Sequence, residues 1–134
     1  MNAMAAKTGL VVITHGQIGH ALIEAAEFIL DQPLGEIGCL SFRQTDGGCT
    51  SETEILAAID AADQGSGVLV LADIGGASPC NAVNRLLPDD RTALVTGVNL
   101  AMLIRAWNYR SRPPAQLARM AALGAVRDIT SQEP

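Results

Sequence analysis

Aromatic side chains are scarce in this sequence: one Trp, one Tyr and two Phe among 134 residues. A core without rings must be built from Ala, Val, Ile and Leu. Such a core suits buried parallel strands packed against helices lined by small residues. The three cysteines, Cys39, Cys49 and Cys80, are odd in number and no pair is spaced C-x-x-C. That argues against a disulfide framework and a zinc knuckle, and predicts reduced thiols in a cytoplasmic protein. No apolar run approaches the roughly 20 residues of a membrane helix, and no apolar h-region follows a basic start. Basic residues are the minority, nine Lys+Arg against fourteen Asp+Glu, for a formal charge of −5. Broad non-specific nucleic-acid binding needs basic clusters and is not expected. An acidic chain suits a basic protein partner instead, because complementary charge speeds encounter.

What is present is an apolar majority in small residues: 49% of the chain is hydrophobic. The length predicts one domain, large enough to bury roughly two-thirds of its unfolded surface. Residues 1–8 read as a disordered lead, with Met4 as an alternative first residue. Residues 9–130 form the domain, and residues 131–134 a tail.

Apolar runs alternate with helical patterns. Residues 10–13, 37–42, 68–72 and 93–95 read as strands, and residues 126–130 as a weaker fifth, interrupted by Arg127 and Asp128. The first, third and fourth lack polar alternation, as strands covered on both faces do. Ile18, Leu22, Ala25, Ala26 and Ile29 share one helical face. Ser51 with Glu54 forms a capping-box pattern ahead of Ile55, Leu56 and Ile59. Pro79, Ala82, Val83, Leu86 and Leu87 give a third stripe, and Leu100, Leu103, Ile104 and Trp107 a fourth. Pro113 and Pro114 open a fifth helix that Gly124 is expected to end. This order predicts an α/β fold: a three-layer, doubly wound, mainly parallel sheet. Chemistry in such sheets gathers at the carboxyl ends of the strands.

The polar residues of interest stand there. His15 follows the first strand and precedes Gly16. A neutral imidazole offers a nucleophilic nitrogen near neutral pH. Asp73 follows the third strand; a carboxylate beside an imidazole fixes its tautomer and offsets charge that forms on the ring. Gly75, Gly76 and Ala77 then lead to Ser78 and Pro79. Small residues admit a bulky group, Ser78 suits an N-cap and Pro79 the first helical position. A helix start of this kind favours an anion. Each residue also has a plain structural reading: His15 filling a strand end, Asp73 bonding its own loop, Ser78 capping a turn. No P-loop or G-x-G-x-x-G motif occurs, so no nucleotide cofactor is expected. His20 falls opposite the apolar stripe and is expected in solvent beside Glu24. His15, His20 and the cysteines lack metal-ligand spacing, so no metal is expected. Trp107 is expected in the core or at a subunit contact. Arg105, Arg110, Arg112 and Arg119 are read as a local basic face or as solvated charge.

Three motifs occur in order: Thr14-His15-Gly16, the run from Asp73 through Ile74, Gly75, Gly76, Ala77, Ser78, Pro79 and Cys80 to Asn81, and the run from Gly97 through Val98, Asn99, Leu100, Ala101 and Met102 to Leu103. On these the chain resembles the mannose-type IIA components of bacterial sugar phosphotransferase systems. The resemblance implies that His15 accepts a phosphoryl group from the phosphocarrier protein HPr and passes it to a IIB partner. It further implies that Asp73 contacts the imidazole and that Ser78, with Gly75, Gly76 and Ala77, holds the phosphoryl group. It also implies a final antiparallel edge strand on the mainly parallel sheet, exchanged between the subunits of a cytoplasmic homodimer, without cofactor or metal, and with peripheral association to a membrane permease. The chain departs from the common pattern at Gly75, where an aromatic residue is usual nearby, at Cys80, often Phe, and at Ala101, usually Pro. These departures bear on partner choice. Two other readings stay open: the phosphotransfer subunit of a dihydroxyacetone kinase, and a regulatory module switched by phosphorylation of His15. A flavodoxin-like FMN binder is a more distant one.

Overall fold

The structure is a computed structural model that describes residues 6–42, 52–74 and 91–134. Its elements are β1 (Gly9–His15), α1 (Ile18–Leu30), β2 (Gly38–Phe42), α2 (Glu52–Ala62), β3 (Val68–Ala72), β4 (Thr92–Thr96), α3 (Leu100–Asn108) and α4 (Pro114–Arg127). All three strand pairings are parallel, and the order is β2-β1-β3-β4.

Alternation along the strands divides the core in two. Leu10 and Val12 of β1 stand across from Leu69 and Leu71 of β3. They pack with Ala26 of α1, Leu103 and Ala106 of α3, and Leu117 and Ala121 of α4. Val11, Ile13, Val68 and Val70 face the other way and pack with Ile55 and Ile59 of α2. These eight strand residues, all at 0–2% exposure, explain why the runs show no polar alternation. Burying a side chain of this size stabilises by about 1.5–3 kcal/mol, and the central pair β1 and β3 contributes fully buried side chains to both faces.

Several local expectations shift. In α1 the inward positions are Gly19 and Ala26, with Leu22, Ile23 and Leu30 half-buried, while Ile18 and Ile29 are exposed. Ser51, expected to cap α2, and the third apolar stripe, Pro79 through Leu87, lie outside the described residues. Gly124 does not end α4. The helix continues to Arg127, and the Arg105 side chain of α3 occupies the space that a Cβ on Gly124 would take. This glycine marks a close helix crossing, not a stop.

The expected fifth strand is also absent: Val126 and Arg127 close α4, and residues 128–130 pair with no strand among the described residues. Val126 and Ile129 are three apart, a helical spacing, and both are largely exposed. The described sheet is therefore wholly parallel. Trp107 is in the core, and the Arg110 guanidinium stacks over its ring at 3.2 Å while reaching Glu36 at 3.4 Å. Arg110 is thus a packing residue rather than part of a basic face.

Candidate functional site

The chain runs from β1 outward to β2, then returns to place β3 on the opposite side of β1. The sheet's switch point therefore lies between the carboxyl ends of β1 and β3, where such folds place their chemistry. His15 ends β1 and Asp73 directly follows β3.

The structure brings these two residues together. Asp73 Oδ2 accepts the His15 main-chain N–H at 2.8 Å and stands 2.9 Å from Nδ1 of the ring. Asp73 Oδ1 accepts the N–H of Ile74 at 2.9 Å, so the carboxylate cannot turn freely. An ionised carboxylate only accepts, which places the ring hydrogen on Nδ1 and leaves the lone pair on Nε2. The His15 side chain is 49% exposed and that of Asp73 is 9% exposed. The arrangement is a half-buried anchor behind an accessible nucleophile. Burial alone would push the Asp73 carboxyl up. The His15 N–H, the ring's hydrogen bond and charge, and the Ile74 N–H together outweigh it and hold the carboxyl below the ordinary range.

The turn after His15 is held by its neighbours. Thr14, fully buried, accepts the Gly19 N–H on Oγ1 at 2.7 Å, capping the first turn of α1 from inside the strand. A Cβ on Gly19 would press on Thr14 Oγ1 at 2.9 Å and Cys39 Sγ at 3.0 Å. Ser41 donates its hydroxyl to the Gly16 carbonyl at 2.8 Å. The Phe42 ring meets the imidazole in a T-shaped contact, with centroids 5.1 Å apart. The third motif braces Asp73 from the other side: the N–H of Gly97 donates to the Asp73 carbonyl and that of Val98 to the Ala72 carbonyl. Asn99 then caps α3 by accepting the Met102 N–H at 2.8 Å. Gly97, at φ +80°, permits the turn that makes this brace.

His20 is exposed on α1. Cys39 is half-buried, and burial pushes its thiol up, away from the reactive thiolate. Ser78, Gly75, Gly76 and Ala77 lie outside the described residues, as do Cys49 and Cys80. Sequence reasoning had singled out His15 and Asp73. It had Thr14 in the first motif without a role of its own, and it missed Ser41 and Phe42, whose places beside Thr14 and His15 are set by the β1–β2 register.

Fold and site together define an α/β protein with a half-exposed histidine, backed by a carboxylate, at the switch point of a parallel sheet. The chain belongs to the EIIA-man family: the family model described as the PTS system fructose IIA component matches residues 9–122. The mannose-specific EIIAB component of the PTS system of Escherichia coli (strain K12) is 30% identical over 107 residues, 79% of this chain. The chain spans about a third of that relative's length, 33%. The mannose/sorbose specific IIA subunit of the phosphotransferase system from Enterococcus faecalis has the same fold, with a TM-score of 0.80, 24% identity and 96% of each chain covered. The PTS IIA protein associated with the fucose utilization operon from Streptococcus pneumoniae gives a TM-score of 0.74 at 23% identity, over 95% of this chain and 96% of that one. Among the described residues no helix is long and apolar enough to cross a membrane.

Proposed function

We propose that this chain is a phosphocarrier that accepts a phosphoryl group from phosphorylated HPr on Nε2 of His15 and gives it to a IIB domain or protein in sugar uptake or linked regulation. The observation that supports this reading most is the Nδ1–Asp73 contact at 2.9 Å, which leaves Nε2 as the nucleophilic nitrogen of a half-exposed ring.

The Nε2 lone pair attacks the phosphorus of the donor phosphohistidine in line. The P–Nε2 bond forms as the donor's P–N bond breaks, and that electron pair returns to the donor ring. Positive charge develops on the His15 imidazole while Nδ1 keeps its hydrogen. The Asp73 carboxylate already faces that hydrogen, so stabilisation requires no rearrangement. Phosphoryl transfer of this kind is governed by positioning and electrostatics. The donor is already activated, so neither a nucleotide nor a metal enters the step. Ser78 and the backbone of Gly75, Gly76 and Ala77 are assigned the phosphoryl oxygens, as the family's pattern implies. Delivery to IIB reverses the sequence.

The reading also assigns a cytoplasmic homodimer, in transient contact with a membrane permease through IIB. Light scattering at several concentrations checks the dimer, with twice the chain mass expected. Incubation with labelled phospho-HPr checks the transfer: the wild type takes the label and His15→Ala does not. Labelling of His15→Ala at His20 would overturn the assignment.

A further inference from the structure

β1 is one of two inner strands, and His15 therefore has a neighbour on each side. Asp73 comes from the β3 side. On the β2 side, Thr14 is in register with Ser41 and His15 with Phe42. Gly16, the next residue, lies in the left-handed region at φ +51°. Among the described residues no atom stands within 4 Å of a Cβ built there, so packing does not hold this turn. The 2.8 Å hydrogen bond from the Ser41 hydroxyl to the Gly16 carbonyl does hold it. The Phe42 ring, itself 8% exposed, sits against the imidazole at an interplanar angle of 60°.

We propose that Ser41 is a positioning residue for phosphoryl transfer: by fixing the Gly16 carbonyl it holds the turn after His15, so that the ring lies between Asp73 and Phe42 with Nε2 on one fixed line. The inference rests on the proposed function and extends it to β2. Asp73 anchors one ring nitrogen and one main-chain N–H of His15, but two contacts from one carboxylate leave the peptide after His15 unconstrained. Ser41 removes that freedom, and Phe42 limits rotation of the ring about its bond to Cβ. In-line attack needs the reacting atoms aligned within a fraction of an ångström, and a displacement of about 1 Å costs up to about 100-fold in rate. Neither Ser41 nor Phe42 touches the reacting phosphorus in this account; both act through His15.

The experiment is single-turnover transfer from labelled phospho-HPr at a series of donor concentrations, which separates the maximal rate from the half-saturating concentration. Wild type and His15→Ala frame the assay. Ser41→Ala is expected to lower the maximal rate about three- to tenfold, the loss of one ordinary hydrogen bond, with half-saturation unchanged. Ser41→Thr keeps the hydroxyl and is expected to restore most of the rate. A merely structural role would move thermal stability and leave this split and this rescue unseen. A wild-type maximal rate in Ser41→Ala, or a Ser41→Thr as slow as Ser41→Ala, overturns the positioning role. Phe42→Leu provides the same comparison if Ser41→Ala does not fold: a lower maximal rate at unchanged half-saturation supports the proposal, and a wild-type rate overturns it. A wild type that takes no label overturns the acceptor reading itself and this inference with it.

Discussion

One oxygen of Asp73, Oδ2, receives both the main-chain N–H and the ring Nδ1–H of His15, at 2.8 and 2.9 Å. Backbone and ring are thereby set by a single atom. The carboxylate fixes where the residue is and which of its nitrogens is free. A hydrogen bond to a charged group contributes about 1.5–3 kcal/mol, or roughly ten- to 150-fold in rate if it acts in the transition state. Asp73→Asn keeps the shape and loses the charge. We expect the transfer rate from phospho-HPr to fall within that range, with a smaller proportional effect on the unfolding midpoint. An unaltered rate would remove Asp73 from the mechanism.

The buried Thr14 hydroxyl should matter to both stability and activity. Thr14→Val leaves the Gly19 N–H without its acceptor in a buried setting, which costs about 1–3 kcal/mol. Urea unfolding measures the loss. The transfer rate should fall as well, since α1 begins three residues after His15.

Gly67 makes a separate prediction at the far end of the sheet. It sits at φ +88°, and a Cβ there would land on the Arg91 carbonyl. Gly67→Ala is expected to destabilise by at least about 1–3 kcal/mol through left-handed strain and backbone displacement. Transfer by the folded fraction should stay close to wild type, because the site is at the opposite strand ends. Equal stability by denaturant titration would count against this geometry.

Asp63 links stability to pH. The hydrogen bond from Arg91, at 2.6 Å, is the leading cause that holds its carboxyl below the ordinary range. The Gly65 N–H supports it, burial opposes it, and the Gly67 N–H and the Arg91 charge add to the lowering. The folded value lies under the unfolded one, near 3.9. The contribution is therefore complete above about pH 4 and disappears as pH falls through the folded value. Asp63→Asn should be less stable than wild type at pH 7, and the difference should shrink below about pH 4. Denaturant midpoints at pH 7, 4 and 3 check this; a gap independent of pH would contradict it.

The parts of the fold legible in the sequence were those governed by local pattern. β1 and β3 are continuous apolar runs because both faces are covered, and Val68–Ala72 is a strand with the expected bounds. His15 and Asp73 were legible because chain order, strand ends and the switch-point rule place them without any coordinates. Gly124 was misread because its role arises between two helices: an isolated glycine near a helix end looks the same whether it stops the helix or makes room for Arg105. Residues 126–130 were misread because two branched apolar residues in a short interrupted run suit either a strand or a frayed helix end. Ser41 and Phe42 were overlooked as site residues because their roles depend on register with β1, across a separation of 25 residues between Gly16 and Ser41.

The most direct measurement is nitrogen-resolved NMR of the phosphorylated protein prepared with phospho-HPr. A single phosphohistidine at His15 is expected, bonded through Nε2, with Nδ1 still bearing the hydrogen that faces Asp73. A phosphoryl group on Nδ1 of His15, or on His20, would contradict it.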